Sequence, residues 1–383
     1  MRRGFDRDEF EGRLARARTL MNRHGLDGLL VTTQADIYYF TGFLTGFFES
    51  PTRPWFVFLP ATGEPVAVIP GIGRALMETT WISDIRSWAS PDLLDDGVSL
   101  LAATIMEKIG SGRIGLPDGH ETHLRMPLGD FRRLEDAISP AVRISGDEGI
   151  VRALRMVKTT NEVAKIEHAC SIAGRAFDRV GEIAHAGAPL SEVFRRFQMI
   201  CLEEGADQVR YLAGGAGPTG YFDVISPATD KPLQTGDCLM LDTGLTFDGY
   251  FCDFDRNFAI GKPGDEVAEA HRRLIEATLA GFEAAKPGAC ARDLYHAMDR
   301  VLTGGKAEEG NGRLGHGLGI QLTEWPSLIP ADETLLELGM VLTLEPGIAT
   351  RDGNMLVHEE NIVITESGAR WLTPLASPEI ARL

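Results

Sequence analysis

Between Leu239 and Phe258 the sequence reads LMLDTGLTFDGYFCDFDRNF, two apolar, strand-like runs flanking Asp248-Gly249. Asp-Gly between such runs is a strong local signal for a two-residue hairpin, so this segment commits the chain around it to an antiparallel sheet. Each run also carries acid: Asp242 in the first, Asp253 and Asp255 in the second. Side chains alternate with period two along a strand, so across a two-residue turn, positions whose numbers sum to an odd value share a face. Asp242 and Asp253 meet that condition and are expected directly opposite or diagonal to one another, roughly 5 to 8 Å apart. Two half-buried carboxylates at that spacing repel unless a cation lies between them. A divalent metal answers the problem. The alternative is a turn-capping Asp whose neighbour pairs with Arg256 at the surface.

Further acid and imidazole stand in similarly unfavourable places. His316 lies in GHGLG, where flanking glycines let the backbone approach a ligand. Glu345 closes the apolar run LTLEPG directly before Pro346, and Glu359 and Glu360 head the run ending VHEENIVIT. Glu is disfavoured both in strands and in buried positions. Each of these, taken singly, can be a solvated group. Together, two Asp, one His and two Glu offer mainly oxygen donors with one nitrogen, a set suited to Mn, Co, Fe or Zn. Bridging carboxylates can hold two such ions about 3.5 to 4 Å apart, activating water and polarising a carbonyl.

A chain of 383 residues is long for one core and comfortable for two. Its formal net charge of −17 argues against nucleic acid or an anionic membrane as partner. The charged start MRRGFDRDEF lacks the apolar core of a secretory signal, and no run of about eighteen apolar residues suggests a spanning helix. Five scattered cysteines without a CxxC spacing read as reduced thiols of a cytoplasmic protein. Over residues 1–152, the strand runs LDGLLVTT, WFVFLP, PVAVIPG and RIGLP alternate with helical stretches at 100–109 and 127–138, as in an α/β domain. A second domain is expected over 153–383. It starts with a long helix capped by Thr160 or Asn161 and continues with helices over 191–204, 266–285 and 291–302. The strand-like pieces GMVLTLEPG, NMLVHEENIVIT and ARWLTPL close the chain.

The order Asp, a second Asp eleven residues on, GHGxG, Glu-Pro, then Glu before an apolar strand is matched by Asp242, Asp253, His316, Glu345 and Glu359. In this the sequence resembles the metallopeptidase family of methionine aminopeptidase, aminopeptidase P and prolidase. LDGLLVTTQADIYYFTGF looks like the smaller domain of the prolidase, aminopeptidase P and creatinase branch, so the likeness covers nearly the whole chain. The resemblance implies a creatinase-like α/β N-terminal domain followed by an α+β catalytic domain of the pita-bread fold. It further implies a homodimer and two divalent metals, manganese first among Mn, Co, Zn and Fe, with those five residues as ligands. Hydrolysis of an Xaa-Pro amide bond by metal-bound hydroxide would follow, with Glu345 shuttling the proton from water to the leaving nitrogen.

Three positions depart from the pattern. The loop Gly214–Asp237 has no His where these peptidases usually carry one, and Thr323 stands before Glu324 where they usually have His. Those imidazoles normally help to hold substrate and steady the tetrahedral intermediate. Asp255 replaces a common Thr; it either adds charge to the metal pocket or turns towards solvent or Arg256. Tyr221 and Asp223, in the loop without His, are candidate substrate contacts. His358 is set aside, because on a regular strand it points away from Glu359. Three functions therefore compete: a dinuclear Xaa-Pro peptidase; a metal-dependent hydrolase or lyase of a small metabolite resembling creatine, an ectoine derivative or dimethylsulfoniopropionate; and a non-catalytic binding module, which would have no need of five ligands.

Overall fold

The computed structural model describes residues 1–50, 53–306 and 312–383. These divide into two compact units, Arg2–Arg155 and Met156–Leu383. In the first unit the strands β1 (Gly28–Val31), β2 (Phe56–Pro60), β3 (Val66–Pro70), β4 (Asp84–Trp88), β5 (Gly112–Leu116) and β6 (Val142–Gly146) form one mixed sheet ordered β4-β3-β2-β1-β5-β6. Every residue of β1, β2 and β3 is buried. A strand covered on both faces shows no polar side, which is why these segments read as unbroken apolar runs. The helices Val98–Ile109 and Leu128–Ile138 bring Leu101, Ile105, Leu134 and Ile138 against Leu30, Phe58, Val68 and Ile114. The helix Gln34–Thr41 gave no periodic signal because its residues are buried all round except Gln34.

The second unit opens with the helix Thr160–Asp178. Its cap is Thr159, one residue before the expected Thr160 or Asn161. The Thr159 side chain accepts from the Glu162 amide, and the Glu162 carboxylate accepts from the Thr159 amide at 2.9 Å. Thr159 is the residue with a Glu three places on, so it can form this reciprocal box. The strands are β7 (Gln208–Gly217), β8 (Cys238–Phe247), β9 (Tyr250–Phe251), β10 (Phe254–Ala259), β11 (His316–Gly317), β12 (Glu324–Ser327), β13 (Val341–Leu344), β14 (Gly347–Ala349), β15 (Met355–Val357), β16 (Glu360–Thr365), β17 (Gly368–Trp371) and β18 (Ala381–Arg382). One sheet runs β18-β10-β8-β7 with β9 paired to β8; a second runs β12-β11-β13-β16-β17; β14 and β15 form a ribbon.

Helices cover both sheets. Phe177 and Phe197, from Thr160–Asp178 and Leu190–Glu203, pack with Phe254 of β10. Ala277 of Asp265–Ala284 and Leu294 and Met298 of Ala291–Thr303 join Leu342, Leu344, Ile362 and Ile364 of the second sheet. The Asp248-Gly249 turn has both residues at positive φ, 49° and 81°, as a two-residue primed turn requires, and pairs Phe247 with Tyr250. The segment NMLVHEENIVIT, expected as one strand, is two. The His358 amide donates to Pro346 O at 3.1 Å and the Glu359 amide to Asp255 Oδ1 at 3.2 Å. The first bond continues the β14–β15 register and the second leaves the ladder, and pairing passes from β14 to β13 at this break.

Candidate metal centre

In the β8–β10 ladder, Asp242 pairs with Asp255 and Thr243 with Phe254. Asp253 lies just before β10, on the diagonal from Asp242. Its peptide is held by one side chain: Asn361 Oδ1 accepts the Asp253 amide at 3.0 Å, and Asn361 Nδ2 donates to the Asp253 carbonyl. This clamp ties the edge of one sheet to β16 of the other. It also holds the Asp253 carboxyl inside, where only 4% of the residue is exposed.

His316, Asp253 and Glu359 are all buried and bring ligand atoms within 4.8 Å of one another. His316 Nε2 stands 3.5 Å from Asp253 Oδ2 and 3.9 Å from Glu345 Oε2. Its Nδ1 lies 2.8 Å from the Gly317 carbonyl oxygen, an arrangement that places the proton on Nδ1 and turns the Nε2 lone pair to the carboxylates. The glycines beside His316 serve the packing that aims it. A Cβ on Gly315 would meet Thr343 O at 2.3 Å, and one on Gly317 would meet Trp325 O at 2.3 Å. Farther along, buried Glu324 accepts the Ile320 and Gln321 amides at 3.0 and 3.1 Å and pairs with Lys158 Nζ at 3.0 Å, closing the loop after GHGLG.

The electrostatics are those of a site waiting for positive charge. Burial, then the charges of Asp255 and Glu345, hold the Asp242 carboxyl well above its usual range. Burial and mutual repulsion do the same to Asp253 and Glu359. Glu345 is pushed up to about 7 by burial, against the lowering effect of Arg313. His316 is pulled down to about 3, by burial first and then by Arg313, which keeps it neutral and able to ligate. Asp242 Oδ1 and Glu359 Oε1 are buried with no hydrogen-bond partner. Orphaned carboxylate oxygens beside an imidazole nitrogen are the chemistry that divalent cations satisfy, so these residues fit a metal centre.

The sequence left Asp255 with two readings and gave no sign of several other participants. Asp255 faces inward: it is 1% exposed, with His358 Nδ1 3.5 Å from its Oδ1. His358 Nε2 reaches Glu360 Oε1 at 3.3 Å, and Glu360 pairs with Arg256 at 3.0 Å. Arg256 therefore neutralises Glu360 rather than Asp253 or Asp255. Burial alone would lower His358, but the neighbouring carboxylates of Asp255 and Glu360 outweigh burial and raise it. The strand break at His358 brings this ring beneath the site, which strict alternation could not foresee. From β7 the Tyr211 hydroxyl donates to Val224 O at 3.2 Å, and Arg313 Nε lies 3.3 Å from Glu345 Oε1.

The structure gives Tyr221 and Asp223, expected to contact substrate, hydrogen-bond partners within the protein. Tyr221 is 2% exposed; its hydroxyl accepts the Val357 amide at 2.6 Å and donates to Asn257 Oδ1 at 3.2 Å. Asp223 accepts the Ile225 and Ser226 amides at 3.0 and 2.7 Å, folding its own loop. Each accepts backbone amides, partners that no side-chain pattern announces.

Residues 164–366 match the model of metallopeptidase family M24, which spans more than half of the chain. The chain belongs to metallopeptidase family M24. Residues 13–157 match the creatinase/prolidase N-terminal domain, so this M24 member has the two-domain architecture of an α/β unit before a pita-bread catalytic unit. It is 30% identical over 373 residues to the probable dipeptidase PepE of Mycobacterium tuberculosis, covering 96% of this chain and 95% of that one. With the Xaa-Pro dipeptidase of Pyrococcus horikoshii it shares 26% identity over 359 residues, 92% of this chain and 94% of that one. The crystal structure of dipeptidase PepE from Mycobacterium ulcerans superposes with a TM-score of 0.84 at 29% identity, covering 99% of each chain. This M24 chain is accordingly a metal-dependent peptidase, and divalent metal ions are the cofactor class its carboxylate–imidazole cluster fits.

Proposed function

We propose that this M24 peptidase cleaves small Xaa-Pro peptides, as a dipeptidase, in the cytoplasm and as a homodimer, with manganese as its metal. The observation that carries the reading is the convergence of Asp253, His316 and Glu359 within 4.8 Å, with Glu345 beside them, in a chain similar along 92% of its length to a Xaa-Pro dipeptidase. Asp242, Asp253, His316, Glu345 and Glu359 would hold the ions. A mainly carboxylate set with one imidazole supports manganese. Free thiols at all five cysteines support a reducing compartment, and a net charge of −17 supports a peptide partner over nucleic acid or membrane. The homodimer is carried over from the family resemblance.

Bound divalent cations would polarise the scissile carbonyl and acidify the attacking water. Glu345 would take the proton of that water and deliver it to the leaving nitrogen. Its carboxylate lies beside His316 Nε2 at 3.9 Å, at the edge of the proposed centre, where it could pass a proton between that water and the leaving nitrogen. His316, fixed by Gly317 O, would keep its Nε2 on the metal side throughout. The buried walls around Asp253 and Glu359 would keep bulk water from competing.

One observation favours the second reading, a small metabolite as substrate: Thr323 and the His-free loop Gly214–Asp237 leave no imidazole at either departed position. The deciding experiment offers the manganese-loaded protein Ala-Pro and Gly-Pro beside a panel of small amides and betaines. Dipeptide cleavage that stops on chelation and returns with manganese supports the proposal. Turnover confined to the amides or betaines transfers the site to that class.

A further inference from the structure

We propose that a cavity behind the metal centre, walled by Arg256, Asp178 and Glu379, binds a free aliphatic amino acid as its zwitterion, and that Arg256 transmits this binding to the metal centre. The inference goes beyond the peptidase reading and does not depend on it.

The cavity measures about 200 Å³, below the roughly 300 to 1,000 Å³ of drug-sized pockets, so it suits a small metabolite. It lies within the unit Met156–Leu383, between the end of the helix Thr160–Asp178, β10 and the segment 374–381. Side chains alternate along β10, so Arg256 and Phe258 leave the face opposite Asp255. Phe177, Phe258 and Pro374 give the cavity an apolar floor. Its outer wall is fixed in place. His271 Nε2 lies 3.0 Å from Ser377 O, Glu360 Oε1 accepts the Ala376 amide at 3.0 Å, and Arg256 donates to Pro374 O. The space is therefore built into the fold before any ligand arrives.

The polar groups on the walls define the ligand. Arg256 Nη1 donates to the carbonyls of Asp255 and Glu359 at 2.6 and 3.3 Å, and Nη2 donates to Glu360 Oε2 at 3.0 Å. Its Nε–H has no acceptor among the described residues, and the side chain is 12% exposed where it lines the cavity. That N–H suits one oxygen of a carboxylate. Asp178 and Glu379, both exposed, bring carboxylates with no ion-pair partner among the described residues to the same cavity. A simple anion would meet those acids, and a simple cation would leave Arg256 unanswered. A zwitterion answers both, with its carboxylate on Arg256, its ammonium towards the acids and an aliphatic chain on the apolar floor. The same guanidinium holds the carbonyls of Asp255, which stands opposite Asp242, and of the proposed ligand Glu359. A carboxylate that draws Arg256 towards the cavity loosens that hold.

The test is calorimetry of the metal-free protein with L-leucine, with L-leucinamide, which lacks the carboxylate, and with 4-methylpentanoate, which lacks the ammonium. Leucine should bind about 10- to 100-fold more tightly than either, the range one charged hydrogen bond supplies. Ala381→Trp, which fills the cavity from β18, should abolish leucine binding. In the double variant Asp178→Asn/Glu379→Gln, which alters two exposed side chains, leucine should fall to the level of 4-methylpentanoate. Manganese titrations with and without saturating leucine read the coupling. Leucine should weaken manganese binding at least about 5-fold in wild type, and in Ala381→Trp only by as much as it chelates manganese in solution. No leucine binding, equal binding of the three compounds, or leucine binding unaffected by both variants overturns the site. A manganese shift of the same size in wild type and Ala381→Trp overturns the coupling through Arg256. None of these measurements reads turnover, so a failed dipeptide assay and a failed leucine titration are separate results.

Discussion

Asp255 stands directly opposite Asp242 across the β8–β10 ladder, each with one carboxylate oxygen buried and lacking a hydrogen-bond partner. Like charges paired across a ladder destabilise it, so the arrangement persists only with compensation. His358 supplies part of that compensation from one side at 3.5 Å, and the proposed cations supply it from the other.

The first prediction follows from that pair. Asp255→Asn keeps an oxygen for the Glu359 amide but removes one negative charge. The metal-free protein should melt at a higher temperature than wild type, and manganese affinity should fall about 10- to 100-fold, as for other groups that orient ligands. Thermal melts with and without manganese, plus a metal titration, measure both. Unchanged affinity would show that Asp255 has no hold on the centre.

The proposed direct ligands should cost more. His316→Ala and Asp253→Asn are expected to lose metal affinity by more than the roughly 100-fold upper range of orienting groups, together with turnover. Elemental analysis after dialysis against trace manganese checks this. Full metal occupancy in both variants would remove them from the ligand set.

Glu345 gives a pH signature in the metal-free protein. Its carboxyl is raised from 4.5 to about 7 on folding, so between those values the folded state binds the proton more tightly than the unfolded state. Its contribution to stability is whole below about 4.5 and is lost as pH rises towards 7. His316, lowered to about 3, acts with the opposite sign below its ordinary 6.5, and the raised Asp242, Asp253 and Glu359 carboxyls add to the raw profile. The difference between wild type and Glu345→Gln isolates the carboxyl. The variant should gain on wild type steadily from pH 4.5 to 7 in urea unfolding, and a flat difference would refute the raised carboxyl. With excess manganese the wild-type trend should reverse, because metal binding displaces those protons.

Tyr221→Phe separates a structural hydroxyl from a substrate contact. The Val357 amide would lose its acceptor at 2.6 Å, costing about 1 to 3 kcal/mol of stability. KM for the best substrate should stay within a factor of about two. A large KM change with unaltered stability would return Tyr221 to the substrate pocket.

The buried strands and amphipathic helices could be read because each is a local matter. An all-apolar run such as Val66–Pro70 and the three-and-four spacing along Thr160–Asp178 report burial within a few residues of themselves. The cap at Thr159 was missed by one residue because several hydroxyl and amide side chains crowd that turn. Period two is also why the diagonal relation of Asp242 and Asp253 could be foreseen, though alternation alone left open which aspartate stands opposite. His358 and Arg313 were illegible for another reason. A strand break set by Asp255, and a loop arginine meeting Glu345 thirty-two positions away, leave no periodic trace.

By itself, then, the amino-acid order determined the elements, the acid hairpin and the five proposed donors, since propensity, periodicity and the cost of burying carboxylates are properties of short segments. Tertiary structure alone decided how those donors meet: through Asn361 clamping Asp253, Gly317 O turning His316, and Asp255 receiving the Glu359 amide. Each of these is a contact whose geometry exists only once distant strands have packed.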